Sequence, residues 1–307
     1  MKLIFASVFI FFVCGFANAQ QGLQIDTTKF NSTTLFIVVK NDGTEFIGTI
    51  LKMDAREILM NSTSLGMVYI PKHDVRTIKE IKPGEFKNGV YFSEEVFATR
   101  YFITTNGLPI QKNENYVQWN LFGPDFQFGV TKNLGVGILT SWVGIPIIAN
   151  AKYSIPLSDK LHLGVGALVG TGSWAFVKAG IALPFASLTF GTRRSNINIA
   201  YGYGQIWNEK GTGSGRSLIS IAALKKITQK ISLVFDSFIV PPGTDYFVST
   251  TNGGVISNHR PGLSLICPGF RWHTGVNRAM QFGFMGIVFD KKSIPVPLPM
   301  IQWFRKF

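Results

Sequence analysis

Cysteine is nearly absent from this 307-residue chain, which holds only Cys14 and Cys267. Cys14 lies in an N-terminal apolar run, so removal of that run leaves one thiol and excludes an internal disulfide. Histidine is also scarce: His73, His162, His259 and His273 are scattered and, with one mature cysteine, form no metal-ligand spacing. After the N-terminal run no apolar stretch approaches the ~20 residues that a bilayer-spanning helix needs, which excludes a helical membrane protein. Acidic residues thin out along the chain. Residues 21–100 hold ten Lys/Arg against ten Asp/Glu, whereas residues 101–307 hold nineteen against seven. A basic exported half could meet nucleic acid, anionic lipid or anionic solutes; export and the lack of any recognition motif argue against nucleic acid.

The start, "MKLIFASVFIFFVCGFANAQ", has one basic residue, an apolar run from Leu3 to Phe16 and a small-x-small site at Ala17-Asn18-Ala19. That is the layout of a secretory signal peptide over 1–19, cut before Gln20. A membrane anchor is the rival reading, but the run is short for one. Acylation of Cys14 is another, opposed by Val13 at the position where a small residue belongs.

Residues 33–83 read as a small β domain. Its apolar runs are broken at Asn41-Asp42-Gly43, Asp54-Ala55-Arg56, Ser62 to Gly66 and Pro71 to Asp74, and Asp-Gly between apolar runs is a strong hairpin signal. Gly48 falls inside the second run, where a strongly bent strand tolerates it. The run order resembles the Sm-like or SH3-like small barrels. That resemblance implies a module for protein contact or plugging, and a periplasmic protein partner through residues 33–83 is the expectation. Residues 84–115 read as a linker, with the breaker-rich "KPGEFKNG", 82–89, spanning its start.

From residue 116 the pattern becomes long and alternating. In "KLHLGVGALVG" Leu161, Leu163, Val165, Ala167 and Val169 share one face, against His162, Gly164, Gly166, Leu168 and Gly170. In "AFVKAGIAL" Val177, Ile181 and Leu183 oppose Lys178 and Gly180, and in "NINIAYGYG" Ile197, Ile199, Tyr201 and Tyr203 oppose Asn196, Asn198 and Gly202. An apolar face with aromatic ends backed by a small, polar face is the signature of a barrel whose outside meets lipid. A soluble β-sandwich that binds ligand is the alternative, but it would place large side chains inward and charge outward. Twelve strands are expected between 116 and 307. Short connections follow the even-numbered ones, and the long segments "QIWNEKGTGSG" and "PPGTDYFVSTTNGGVISNHRPG" both follow odd-numbered ones, so both emerge on the same side.

With the signal peptide, the alternation and the terminal Phe307, the chain resembles the outer-membrane β-barrel proteins of Gram-negative bacteria over about two thirds of its length. The fold class expected is therefore all-β: an antiparallel transmembrane barrel of about twelve strands over 116–307, preceded by a five-stranded small domain. The resemblance implies outer-membrane lipid and the barrel-insertion machinery as partners, the latter reading Ile301, Trp303 and Phe307. Arg305 departs from the apolar residue usual at its position. The three prolines Pro295, Pro297 and Pro299 lack donors, which leaves regular pairing from Met300 onward, with Trp303, Phe304 and Phe307 expected in an interfacial girdle and the last strand closing on the first near Tyr116.

Counting the apolar register outward leaves Gln118, Asn120, Asn150, Lys152, His162, Lys178, Asn198, Asp236, Arg271 and Gln281 facing the lumen. Their charge is positive on balance, which favours anions if a path is open. The same residues could instead fill the lumen, Lys178 bonded to Asp236. A lipid-modifying enzyme would need a nucleophile beside a histidine, and no such pair stands out in the sequence. "KGTGSGRS", 210–217, imitates a phosphate loop but lacks the spacing and the following helix. No catalytic residue, cofactor or metal is expected. The role expected is non-enzymatic: a narrow pore or transporter for small anionic solutes, or a structural envelope protein.

Overall fold

A computed structural model describes residues 34–81, 86–87, 90–91, 94–172, 178–209, 211–212, 215–248, 255–275, 277–290 and 292–307. Residues 1–19, expected to be a signal peptide, lie outside them. The chain divides into two compact units, 1–89 and 90–307.

The first unit is a five-stranded antiparallel sheet: β1 (Leu35–Lys40), β2 (Glu45–Met53), β3 (Glu57–Ser62), β4 (Gly66–Pro71) and β5 (Val75–Glu80), in the order β4-β3-β2-β1-β5. Phe36, Val38, Ile50, Ile58, Met60 and Ile70 form its core. Gly43 takes φ +89° in the first hairpin, a left-handed conformation that suits glycine. Gly48 is required by closeness: a Cβ there would collide with the Asn61 carbonyl of β3, next to an irregularity in register between Ile50 and Lys52.

The second unit is a closed barrel. Its strands are β6 (Tyr116–Asn120), β7 (Gly123–Gly129), β8 (Leu134–Thr140), β9 (Ile147–Ser158), β10 (Leu161–Thr171), β11 (Gly180–Gly191), β12 (Ser195–Asn208), β13 (Arg216–Lys226), β14 (Ile231–Val240), β17 (Leu263–Gly275), β18 (Arg278–Phe289) and β19 (Leu298–Lys306). Between β14 and β17, β15 (Gly243–Val248) and β16 (Val255–Arg260) form a separate hairpin on the long-loop side. The twelve wall strands pair with their neighbours in sequence, and β19 closes on β6 from Lys306↔Tyr116 to Gln302↔Asn120. On its other side β19 pairs with β18 as far as Leu298, so Pro299 sits at the end of the ladder.

The wall is apolar outside and polar inside. Phe190 is 62% exposed and Ile197 and Ile199 57% each, while Asn198, Thr189, Arg271 and Gln281 are fully buried. A water-soluble sandwich has the opposite arrangement, and that alternative is set aside.

Three expectations are corrected. Residues 94–115 are no linker: Phe97, Ala98, Tyr101, Phe102, Leu108 and Ile110 are buried, and the segment is packed inside the barrel. The inward face of β11 carries Ser187 and Thr189, both buried, with Thr189 bonded to the Gly107 amide and to Asn198, while Leu188 and Phe190 face out. Ile181 and Leu183 therefore point in, opposite to the face expected. The upper half of β11 is apolar on both sides, so only the polar residues lower down fix its register. Phe304 is 2% exposed and faces in, because Trp303 at 41% and Phe307 at 54% face out and a strand alternates.

Candidate functional site: the plugged lumen

Segment 94–115 has its own internal frame. A turn spans Val96 to Thr99, Arg100 bridges Thr105, Thr105 Oγ1 donates to the Thr99 carbonyl at 2.9 Å and Asn106 Nδ2 to the Ala98 carbonyl at 2.7 Å. Nearly every expected lumen residue bonds to this frame or lies beside it.

Glu95 is the centre of the first anchor. Its carboxylate meets His273 Nε2 at 2.8 Å, Arg271 Nη1 at 3.3 Å and the Ser232 hydroxyl. Arg271, with no exposed surface, also donates to the carbonyls of Phe97 and Arg100 at 2.7 Å each and to Gln281 Oε1 at 2.8 Å. Its guanidinium lies 4.6 Å from the Phe304 ring centroid, and that ring is tilted against Phe97 at 5.0 Å. Burial alone would raise the Glu95 carboxyl. The hydrogen bond from His273, the charge of Arg271 and the Ser232 bond outweigh it and hold the group well below the ordinary range.

The chain then climbs the lumen by successive anchors. Arg100 is ion-paired with buried Asp125. Gln281 passes a 2.8 Å bond to Gln302, which donates to the Phe102 carbonyl at 2.8 Å, and Gln118 Nε2 donates to the same carbonyl at 3.3 Å. Asp236 accepts from Thr104 Oγ1 and the Ile103 amide at 2.6 Å each and from the Thr104 amide at 2.9 Å. Lys152 Nζ donates to the carbonyls of Asn106 at 2.6 Å and Leu108 at 3.1 Å. Thr189 Oγ1 accepts from the Gly107 amide at 2.7 Å, and Asn198 Nδ2 donates to the Thr105 carbonyl at 3.3 Å. At the exit Glu114 is bonded to Arg193 and, at 3.0 Å, to Lys306 Nζ.

The inward glycines make room for this segment. A Cβ on Gly164 would stand 2.9 Å from the Gly107 Cα, and Cβ atoms on Gly269 and Gly283 would stand 2.5 and 2.6 Å from the Phe102 ring. What remains between Arg100, Gln127, Asn150 and Lys152 is a cavity of about 40 Å³. That is room for a few waters.

The remaining expected residues differ. Asn120 is buried but turns to its own loop, its Oδ1 accepting from the Phe122 and Gly123 amides at 2.9 and 3.1 Å. Asn150 is half-buried on the cavity wall, and His162 is buried where its carbonyl meets Gly107. Lys178 is a correction: it precedes β11, is 71% exposed and pairs with Glu209 at 3.0 Å rather than with Asp236. Glu95, Arg100 and His273 were missed, and the clue was present: a supposed linker carrying "EEVFATRYF" has aromatics and charges that need burial together.

Among the described residues none of these histidines is bonded to a nucleophilic side chain. Ser232 and His273 both bond to Glu95, His259 bonds to Asp290 at 2.9 Å, and His73 is exposed beside Asp74. Arg216 of "KGTGSGRS" opens a strand and donates to the carbonyls of Pro241 and Pro261 at 2.9 and 2.7 Å, so it clamps two loops. Among the described residues no group of acidic, His or Cys side chains is placed to hold a metal, and no helix is long and apolar enough to cross a membrane.

A closed antiparallel wall with an apolar outside and a filled polar inside defines the class: an outer-membrane type β-barrel, plugged by the residues before its first strand. Among solved structures the chain is similar to the NanC porin, at 10% identity and TM-score 0.43 over 63% of this chain and 98% of that one. It is similar also to the toluene transporter TbuX of Ralstonia pickettii (10%, TM-score 0.32, 68% and 92%) and to the outer membrane protein OmpT of Vibrio cholerae (10%, TM-score 0.36, 89% and 95%). No family model and no curated protein matches.

Proposed function

We propose that this is a non-enzymatic outer-membrane barrel held shut by its own segment 94–115, serving as an envelope protein whose small domain, 33–83, contacts a periplasmic partner. The observation that carries this reading is Arg271, buried completely and spending its donors on Glu95, Gln281 and two carbonyls of the plug. An open anion pathway has no free cation to work with at Lys152, whose ammonium is occupied by plug carbonyls. The plug begins beside Ser232 and ends beside Lys306, both at the short-turn rim, which supports a periplasmic location for the residues before it. The outward Ile301, Trp303 and Phe307 fit a signal for the insertion machinery.

Planar-bilayer recording tests the closed state. The protein, shown to be folded by heat-modifiable migration, gives no current steps. Steady conductance whose ion selectivity shifts on Lys152→Glu would refute closure and favour the pore.

A further inference from the structure

Arg278 and Arg305 face one another directly across the β18/β19 ladder. Both are exposed on the outer wall, since their neighbours Ala279 and Phe304 are each only 2% exposed and point inward. Directly opposed like charges destabilise a strand pair, and among the described residues neither arginine has an acidic partner. One step toward the mid-wall, Trp303 faces Met280 in the same ladder, 41% and 39% exposed, with Phe307 beside them at the rim. Two cations below an aromatic and a thioether, on a lipid-facing wall, match a phosphate below its acyl chains.

The short turns of this rim lean to the same sign, while Glu94 and Glu114 of the plug are paired with Arg193 and Lys306. Lys132, Lys160, Lys225 and Lys230 are exposed in or beside the other short turns, where Asp159 is the only acid in the sequence. At the opposite rim Lys178 is paired with Glu209. We infer that Arg278 and Arg305 together bind the phosphate of an anionic phospholipid in the leaflet at the short-turn rim, with Trp303 and Met280 against its chains. Arginine suits the task, because two planar forks can grip a phosphate that point charges only attract. The inference rests on the barrel reading above.

The test is lipid retention by the purified full chain in detergent, read by native mass spectrometry with phosphatidylglycerol and phosphatidylcholine offered in equal amounts. Wild type retains phosphatidylglycerol in preference, and Arg278→Gln and Arg305→Gln each cut that preference about fivefold, the double variant more. Arg278→Lys/Arg305→Lys, which keeps charge and fold, retains an intermediate preference, and Lys178→Gln at the other rim leaves it unchanged. Equal retention of both lipids by heat-modifiable wild type, or an undiminished preference in the double glutamine variant, overturns the site but leaves the barrel. Displacement of the lipid by millimolar inorganic phosphate marks a general anion site and overturns it too. Loss of heat-modifiable migration in wild type overturns the barrel and the lipid site with it.

Discussion

Glu95→Gln is the most direct challenge to the plug. The substitution keeps the shape but removes the only negative charge that, among the described residues, contacts Arg271 and His273, at 3.3 and 2.8 Å, in a place without solvent. Removing one partner of a buried pair costs about 3–5 kcal/mol. Here the low end applies, because the amide oxygen still accepts from Ser232 or His273 and Arg271 keeps its two carbonyls. If that cost falls on the plugged state alone, about 3 kcal/mol raises the fraction of open plug roughly a hundredfold. The molecule has its own reporter. Cys267 is 1% exposed in a cluster with Tyr101 and Phe102 of the plug, and it is the one cysteine after Cys14. Maleimide labelling of Cys267 in folded barrels should therefore speed up roughly a hundredfold in Glu95→Gln, and Cys267→Ser should abolish it. Labelling at the wild-type rate, with heat-modifiable migration intact, would show that Glu95 does not hold the plug.

Acid should act in the same direction. A carboxyl held below its ordinary value near 4.5 contributes stability that is present above that value and is lost as pH falls below it, so Cys267 labelling should rise on acidification from pH 7 toward 3. Gly164→Val puts a branched side chain where Gly107 packs, costing about 1–3 kcal/mol of plug docking; proteolytic cleavage within 94–115 should appear while the barrel stays protease-resistant. Gly48→Val should loosen the small sheet by a similar ~1–3 kcal/mol against the Asn61 carbonyl, seen as faster proteolysis within 33–83 and unchanged Cys267 labelling.

The barrel was legible because a lipid-facing wall writes its two faces into every strand. Ile197 to Tyr203 out and Asn196 to Gly202 in is a pattern that needs no partner to interpret. Where both faces are apolar, as at Ile181 to Leu183, the period survives but its phase does not, and Lys178 was misplaced with it. Parity alone would have sent Phe304 inward once Trp303 was outward. The plug was illegible for a deeper reason. Many of its bonds come from backbone carbonyls and turn amides, as at Phe97, Asn106 and Leu108, and these have no sequence period to display. The glycines opposite, Gly164, Gly269 and Gly283, answer to this segment, which lies outside the strands.

The strand that closes the barrel also touches the plug along its length. Gln302 bonds to the Phe102 carbonyl, Phe304 packs on Phe97 and Lys306 reaches Glu114, while the next face of the same strand pairs with β6. Because the plug precedes β6 in the chain, it is made before any wall strand exists, and β19 is made last. Sealing the cylinder and gripping its contents are thus one event: the final strand finds its full set of partners only when the stopper is already seated, so an empty cylinder would carry its defect at the seam.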